Sequence, residues 1–326
     1  MNEFNHTEDL FFQHLFPRTS VSETGNIILA DWEGQFVAEV SPAGELIQKH
    51  AQNGYGPGEI QLIRSMDLNN NNLLLFDQNR QRIISKHLDE NSVEEYEFKN
   101  IQTMMPVEAF FTHEQKYLLL SFWDLTFHSH LDASPEMAFG LLNLDTNNIE
   151  NMAYYPGKYF ARYIFGQEIR GATEVPFTPD LLFGKSSDNR SLFVYHTPGP
   201  EIVKLDMMSF DTLRSIPLRL PSENINPQEF DSLSAVYTGL RWNTIKEHLP
   251  EFKMPVDDLL IDHRNRIWLQ LTRFSGFREW LVIDENGNPE AIARFPKDTR
   301  LSHLSKYHIG AIMDDSSVAL FQFPDN

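Results

Sequence analysis

The chain has 326 residues, of which 41% are hydrophobic, and 27 Lys and Arg stand against 46 Asp and Glu, for a formal net charge of -19. This length and apolar content exclude a disordered chain, and the acidic balance argues against nucleic acid or an anionic lipid surface as the partner. Cysteine is absent, which excludes disulfides and thiolate metal sites, and no apolar run of about 18 residues predicts a membrane span.

Two consecutive segments near the N-terminus share one order of elements. Each has a strand, a tight polar turn (23–26 and 69–72), and an apolar strand that ends in Asp31 or Asp77. The third and fourth strands are predicted at 36–40 and 46–50 in the first segment, and at 82–88 and 93–98 in the second. Asp31 and Asp77 are 46 residues apart, and four short strands in a period of this size are typical of a β-propeller blade.

The same order of elements returns along the rest of the chain. Three further units follow, and a sixth begins at "HIGAIMDD" with two strands before the chain ends. We expect the N-terminal "DLFFQHLF" to complete that sixth sheet, because a ring of blades leaves an open edge unless its ends join. The sequence therefore predicts an all-β, six-bladed propeller in one domain, 1–326, with an irregular connection at 158–179.

A helical insertion is predicted at about 227–249, between the fourth and fifth units. Asn226 is a suitable N-cap, Pro227 suits the first turn, and Glu229 completes a capping box. Gly239 splits the insertion in two, and Pro250 ends it. Apolar residues recur at helical spacing: Phe230, Leu233, Val236, Tyr237 and Leu240. We expect this amphipathic segment to pack on one face of the disc, as a structural cover or a lid.

The segment "NGYGPGEI" raises the question of a phosphate site. Its glycines, Gly54, Gly56 and Gly58, are spaced Gly-x-Gly-x-Gly, whereas a dinucleotide fingerprint needs Gly-x-Gly-x-x-Gly between a strand and a helix. Pro57 also removes one amide donor, and a strand-like segment follows. The pattern favours a turn from the outer strand of unit one to the inner strand of unit two, in which glycine supplies a positive φ.

This corner and the strands after it resemble a known group of proteins. The string "GYGPGE" followed by "NNLLLFDQNRQRI" is similar to six-bladed propellers of the TolB-like or NHL-like type, especially the TolB-like six-blade propeller-like proteins of Bacteroidota. Gly56, Pro57, Gly58 and Glu59 carry the resemblance. It implies a scaffold without assigned chemistry, exported or lipid-anchored. The sequence shows neither an export signal nor a lipobox cysteine, so a cytoplasmic location and a periplasmic or cell-surface one, reached with a signal since removed, both stay open.

Two histidine-containing segments are candidate metal sites. On an extended backbone His128, His130 and Asp132 would share one face, where two imidazoles and a carboxylate suit zinc or another divalent ion. The more economical interpretation is a polar loop. His263 lies in "DHRNR", 262–266, where the other units have their polar turn, so a structural turn is favoured there.

Other residues offer weaker indications of a site. Asp31 and Asp77 could bind calcium at the channel mouth, although capping turns is the simpler role for both. Trp32, Trp123 and Trp242 lie in or near connections and are candidates for a sugar- or peptide-binding surface. No nucleophile elbow and no His-Glu-x-x-His motif is present.

The sequence assigns no catalytic, cofactor-binding or metal-binding residue. We therefore expect a monomeric, non-catalytic scaffold that binds a protein, peptide or glycan ligand through loops on one face of the disc, without a cofactor. The alternative is a metal-dependent hydrolase or lyase with its site in the central channel.

Overall fold

Residues 2–4, 11–90, 92–98, 103–126, 135–165, 168–197, 199–313 and 316–323 are described in the computed structural model. Antiparallel strands dominate them and form six four-stranded sheets. The innermost strands of successive sheets lie side by side, so the sheets surround a central channel as the blades of a propeller. The predicted all-β, six-bladed fold is confirmed.

Within blades 1 to 5 the chain runs from the innermost strand to the outermost. The strands of blades 1 to 3 are β2 (Ser20–Val21), β3 (Ile27–Asp31), β4 (Phe36–Val40), β5 (Leu46–Ala51), β6 (Ile63–Asn69), β7 (Asn72–Asp77), β8 (Arg82–His87), β9 (Val93–Glu97), β10 (Met104–Phe111), β11 (Tyr117–Asp124), β12 (Glu136–Asn143) and β13 (Asn148–Pro156). Those of blades 4 and 5 are β16 (Leu181–Lys185), β17 (Ser191–His196), β18 (Glu201–Asp206), β19 (Thr212–Pro217), β20 (Val256–Ile261), β21 (Ile267–Leu271), β22 (Phe277–Ile283) and β23 (Pro289–Pro296).

The hydrophobic core lies between the blades. The second strand of a blade is apolar on both faces, as in the run Leu73–Phe76 of β7, because a neighbouring sheet covers each face. Ile28 and Leu75, for example, are buried in one cluster between blades 1 and 2. Each such side chain stabilises the fold by roughly 1.5–3 kcal/mol through burial.

Blade 6 joins the two ends of the chain. It contains β24 (Thr299–Leu304), β25 (Ile309–Met313) and β26 (Ser317–Phe321), and its outermost strand is β1 (Asn2–Phe4), which pairs with β26. The prediction that the N-terminus closes the ring is confirmed, but the predicted segment, 9–16, was wrong. Phe12 and Leu15 are instead buried between blades 1 and 6.

Blade 6 also differs from its predicted composition. The innermost strand β24 was missed, because the bulge between Leu301 and His303 interrupts the period of two and because polar residues alternate poorly there. The C-terminal end therefore contributes three strands to the sheet that β1 completes, whereas the sequence predicts two.

Two insertions interrupt the succession of blades. Between blades 3 and 4, β14 (Phe160–Phe165) and β15 (Glu168–Glu174) form a two-stranded hairpin. The prediction of an irregular connection at 158–179 was wrong, because a bulge between Tyr163 and Ile164 hides the strand alternation.

Between blades 4 and 5 lie α1 (Pro227–Val236) and α2 (Gly239–His248), so the helical insertion and its division at Gly239 are confirmed. Asn226 and Glu229 form the predicted capping box. Neither of these helices has the length and apolar character needed to cross a bilayer, in the part of the chain that the structure describes.

Candidate functional site

The two flat faces of the disc are built from different connections. On the face that we call the turn face, tight turns join the first strand of a blade to the second and the third to the fourth. On the opposite face, called the loop face, lie the links from the second strand to the third, the connections between blades, and both insertions. The turn face therefore carries short polar turns, and the loop face carries all the long segments.

Polar side chains of the turn face are used within their own turns. In blade 5, Asp262 accepts hydrogen bonds from the backbone N–H groups of Arg264 and Arg266, at 2.9 Å each, and from Trp268 Nε1 at 3.1 Å. Arg266 Nε also donates to Asp262 Oδ2, at 2.7 Å. The prediction that 262–266 is a structural turn is confirmed. Burial lowers the pKa of His263, which favours its neutral form.

The "NGYGPGEI" corner links β5 to β6 on the loop face, as predicted. Gly58 has φ +72°, and Gly56 N–H donates to Glu59 Oε2 at 2.6 Å. This hydrogen bond lowers the pKa of Glu59 and keeps its carboxylate charged. The chain's own carboxylate thus already accepts the Gly56 N–H group that a bound phosphate would need.

Asp31 and Asp77 fix the chain where it enters their blades. Asp31 accepts backbone N–H groups of Glu33 at 3.0 Å and Gly34 at 2.8 Å, and its other oxygen accepts that of Gln13 at 2.5 Å. Asp77 accepts those of Gln61 and Leu62, both at 3.2 Å. Turn capping is therefore the observed role of Asp31, and Asp77 holds the segment that precedes β6.

The candidate metal ligands His128, His130 and Asp132 lie outside the described residues, so their prediction stays a prediction. Among the described residues, no group of three or more His, Asp or Glu side chains is arranged to hold a metal ion.

The two insertions pack against each other on the loop face. Ile245 of α2 is buried with Ala161 of β14 and Val175, and Arg241 Nε donates to Thr173 Oγ1 at 3.0 Å. Lys158 anchors the hairpin, since its Nζ lies 2.6 Å from Glu174 Oε1 and 3.2 Å from Asp180 Oδ2. Hairpin and helices thus form one raised structure beside blades 4 and 5.

The helices lie on one face of the disc, as expected, but no side chain of their apolar stripe is fully buried. Helix α1 buries no residue, and α2 buries only Thr244 and Ile245. Val236 is 74% exposed and Leu240 is 69% exposed. Leu233 and Tyr237 of the stripe are half-buried, and Tyr237 packs against the small core around Ile245. Arg241 and the ion pair of Lys253 with Glu229 attach the helices further.

Large exposed apolar side chains are concentrated on the loop face. Its connections and insertions expose Trp32, Tyr55, Leu125, Ile164, Phe230, Val236, Leu240, Phe252 and Phe274, and Phe277 is exposed at the loop-face end of β22. Among the described turns of the turn face, Tyr307 alone is a large apolar residue exposed to this degree. The two faces therefore offer a partner very different surfaces.

All three candidate tryptophans belong to the loop face, but they are not equally free. Trp32 is 43% exposed and packs edge-on against His14. Trp123 contacts Phe160 of the hairpin, with ring centroids 6.2 Å apart, and Trp242 contacts Phe230 of α1 at 5.1 Å. Trp123 and Trp242 thus support the insertions, and only Trp32 presents an open ring.

The central channel is crossed by ion pairs between blades that are not neighbours. Arg18, before β2 in blade 1, pairs with Asp258 of blade 5 at 2.6 Å, and Lys185 of blade 4 pairs with Asp67 of blade 2 at 2.6 Å. Glu108 of blade 3 faces the same cavity of about 490 Å³. Burial raises the pKa of Glu108, although Arg18 and Arg64 oppose the shift.

Sequence reasoning missed these channel residues. They are single charged residues at or near innermost strands, and their partners lie far away in the sequence, as with Arg18 and Asp258. A charged residue in a strand that otherwise reads as buried is the one signal that could have indicated them.

Comparisons with known proteins agree on the fold. No protein-family model matches the chain, and no curated protein matches it. A putative exported protein from Bacteroides fragilis is similar in structure, with TM-score 0.57 and 13% identity, over 96% of this chain and 83% of that one. A member of the DUF4221 family from Bacteroides vulgatus has TM-score 0.57 and 10% identity, over 99% and 96%. At these identities the likeness shows a shared propeller fold alone.

Proposed function

We propose that this protein is a non-catalytic propeller scaffold that binds a protein, peptide or glycan ligand through its loop face. The observation that carries the proposal is the concentration of exposed apolar side chains in the connections and insertions of that face. In the described residues of the turn face, Tyr307 in a turn and Ile47 and Leu213 at strand ends are exposed in this way. Contiguous apolar surface on a folded protein is typical of an interaction site.

The energetic argument concerns what a partner would gain there. Each square ångström of apolar surface removed from water contributes about 25 cal/mol. Side chains as exposed as Val236 and Leu240 contribute little to folding, so their burial is available for binding. The hairpin and helices are held together by Ile245 and Arg241, which makes their outer surface a preorganised one.

The channel supports the scaffold role. Its charged groups pair across the ring, so they hold blades together: Arg18 with Asp258, and Lys185 with Asp67. The resemblance of Gly56, Pro57, Gly58 and Glu59 to TolB-like propellers also favours a scaffold, working as a monomer in this proposal.

The test screens the labelled full chain against a glycan array and a displayed random-peptide library. The double variant Val236→Lys with Leu240→Asp should lose most of the selected binding, and it leaves the net charge unchanged. The matched control is Ile47→Lys, which alters a side chain of comparable exposure, 52%, at the turn-face end of β5. Binding that survives the double variant and is lost in Ile47→Lys would overturn the proposal.

The alternative, a metal-dependent hydrolase or lyase, has one observation in its favour. A half-buried carboxyl with a raised pKa, such as Glu108, is the kind of group that acts in general acid–base catalysis. Elemental analysis of the purified protein separates the two. Stoichiometric calcium or zinc that is lost in Glu108→Gln or Asp67→Asn would replace the scaffold proposal with the enzyme.

A further inference from the structure

A cleft on the loop face differs in charge from the rest of this acidic chain. It lies between α1 and the loop-face end of blade 5 and has a volume of about 320 Å³. Three cations and three aromatic rings line it: Arg273, Arg278, Lys297, Phe177, Phe274 and Phe277. Its volume is at the lower end of the range for small-molecule sites, roughly 300–1,000 Å³.

The cations of the cleft are only partly neutralised by the described residues. Arg273 Nη1 lies 3.8 Å from Glu279 Oε2, and Glu279 is shared with Arg294 at 2.8 Å. Arg278 uses its Nε to bond the backbone carbonyl of Lys297, at 2.7 Å. Lys297 Nζ lies over the ring of Phe274, 5.5 Å from its centroid, in a chain whose overall net charge is -19.

The two carboxyl groups that line the cleft are already engaged. Glu229 accepts from Lys253 Nζ at 2.8 Å and from the backbone N–H of Asn226 at 3.0 Å. Asp257 accepts from Gln270 Nε2 at 2.8 Å. Neither carboxylate forms an ion pair with a cation of the cleft within 4.0 Å among the described residues, and the three cations on the lining outnumber the two carboxylates.

The aromatic side chains are held in unusual positions. Phe274 is 46% exposed and Phe277 is 55% exposed, although both are apolar. Phe177 has φ +64°, in the left-handed region that a bulky side chain rarely adopts. Strain of this kind is found preferentially at binding and catalytic sites. Exposed rings of this type can stack on the C–H face of a sugar.

We infer that this cleft binds a carboxylated sugar unit of an anionic saccharide. The cations would pair with the carboxylate, and the rings would contact the sugar face. Ser232 Oγ and Gln270 Oε1 can accept from hydroxyl groups, since only the donor groups of these two side chains are used within the protein. The inference rests on the proposed function, because it names the glycan as the ligand class and places it on the loop face.

An acidic peptide would share the charge but fits the cleft less well. A peptide ligand ordinarily lies along an open strand edge or in an extended groove. This cleft is short and is bounded by α1 on one side and by the loop after β21 on the other. Its mixture of hydroxyl, amide and aromatic side chains suits a polyol better than a peptide backbone.

Isothermal titration calorimetry tests the inference with a galacturonate trimer as the probe. The fully methyl-esterified trimer has the same sugar rings without charge, and triglutamate has the charge without the rings. We expect binding of the galacturonate trimer alone, weakening as salt is raised because the contacts are ionic. Lys297→Gln should raise the Kd about tenfold, the usual scale for one charge-assisted hydrogen bond.

A matched control exists on the turn face. Lys306 Nζ lies over the ring of Tyr307, 4.8 Å from its centroid, so it repeats the arrangement of Lys297 and Phe274. Lys306→Gln should leave the Kd unchanged. Phe274→Ala should weaken binding as Lys297→Gln does. Because this variant removes the ring and keeps the charge of the cleft, it tests the ring contact alone.

Other outcomes overturn the inference in distinguishable ways. Equal binding of triglutamate would replace the saccharide by an acidic peptide, and equal binding of the methyl ester would remove the role of charge. If no probe binds, the carboxylated-sugar assignment fails. The scaffold proposal is then still judged separately, by whether the array and library ligands depend on Val236 and Leu240.

Discussion

Two connections on the loop face use their polar groups in opposite ways. The short corner between blades 1 and 2 uses its backbone N–H groups within the protein. Gly56 N–H donates to Glu59 Oε2 in the corner itself, and Gly58 N–H donates to Glu95 Oε1 of β9 at 2.9 Å. The long insertions beside blades 4 and 5 are fixed at a few points, such as Ile245, and leave Val236 and Leu240 exposed.

This difference shows where a propeller of this kind can bind a ligand. A connection of a few residues must satisfy its own hydrogen-bond donors and acceptors. No donor is then left for a ligand, even when the glycines of the connection suggest a phosphate site. A long insertion carries its own small core and can present side chains that the fold does not use. Changes at the corner should therefore alter stability, and changes at the insertion surface should alter binding.

The largest loss of stability is expected when Arg82, which connects the corner to blade 2, is replaced. Its side chain is 2% exposed; it donates to the carbonyl of Glu59 and pairs with Glu95, and its Nε lies 3.6 Å from Asp77 Oδ2. Arg82→Met should lower the free energy of unfolding by about 3–5 kcal/mol, the scale for removing one partner of a buried ion pair. Chemical denaturation measures it.

The matched control for Arg82 lies two residues earlier, in the link between β7 and β8. Arg80 Nη1 donates to the carbonyl of Tyr55 at 2.8 Å, in an exposed position. Arg80→Met should change the free energy of unfolding by less than about 0.5 kcal/mol. Equal losses in the two variants would show that the corner is not held through its buried arginine.

Much of the fold could be predicted from sequence because the blade pattern is local. A polar turn, an apolar strand and a terminal Asp recur as a unit, and Asp31 and Asp77 mark it clearly. Pairing across the termini was also predictable, since an open sheet edge must be covered. The exact closing segment was not, because Phe12 and Leu15 read equally well as strand or as core.

The candidate site was much less predictable than the fold. The cleft joins Phe177, Glu229, Arg278 and Lys297, which belong to four separate segments of the chain. No local pattern connects these residues. The apolar stripe of the helices suggested buried side chains, whereas Val236 and Leu240 are exposed. Helical spacing reports which residues share a face, but it does not report what that face meets.

A smaller loss is expected at Gly58, the left-handed residue of the corner. A Cβ there would lie 3.3 Å from Val93 Cγ2, and φ is +72°. Gly58→Ala should reduce the free energy of unfolding by about 1 kcal/mol, and Gly58→Val by more. Gly276→Ala is the control, since a Cβ at Gly276 meets nothing within 4 Å and its φ is not in the left-handed region.

Inorganic phosphate and nucleotides complete the test of the corner. Neither should change the melting temperature of the unaltered chain or of Gly58→Ala, because Glu59 already accepts the amide that an anion would need. A ligand that binds only the native state raises its melting temperature by mass action. A saturable rise that disappears in a folded Gly58→Val protein would therefore make the corner a phosphate site.

The smallest effect on stability is expected at the insertion surface. Val236 is the last residue of α1 and Leu240 the second residue of α2, and both side chains are largely exposed. Val236→Lys places a cation at a helix C-terminus and Leu240→Asp places an anion at a helix N-terminus, so both follow the helix dipole. The double variant should unfold within about 0.5 kcal/mol of the unaltered chain, as surface changes usually do. A loss of about 2 kcal/mol or more in thermal or chemical denaturation would mean that these side chains serve the fold, and the contrast between the corner and the insertions would fail.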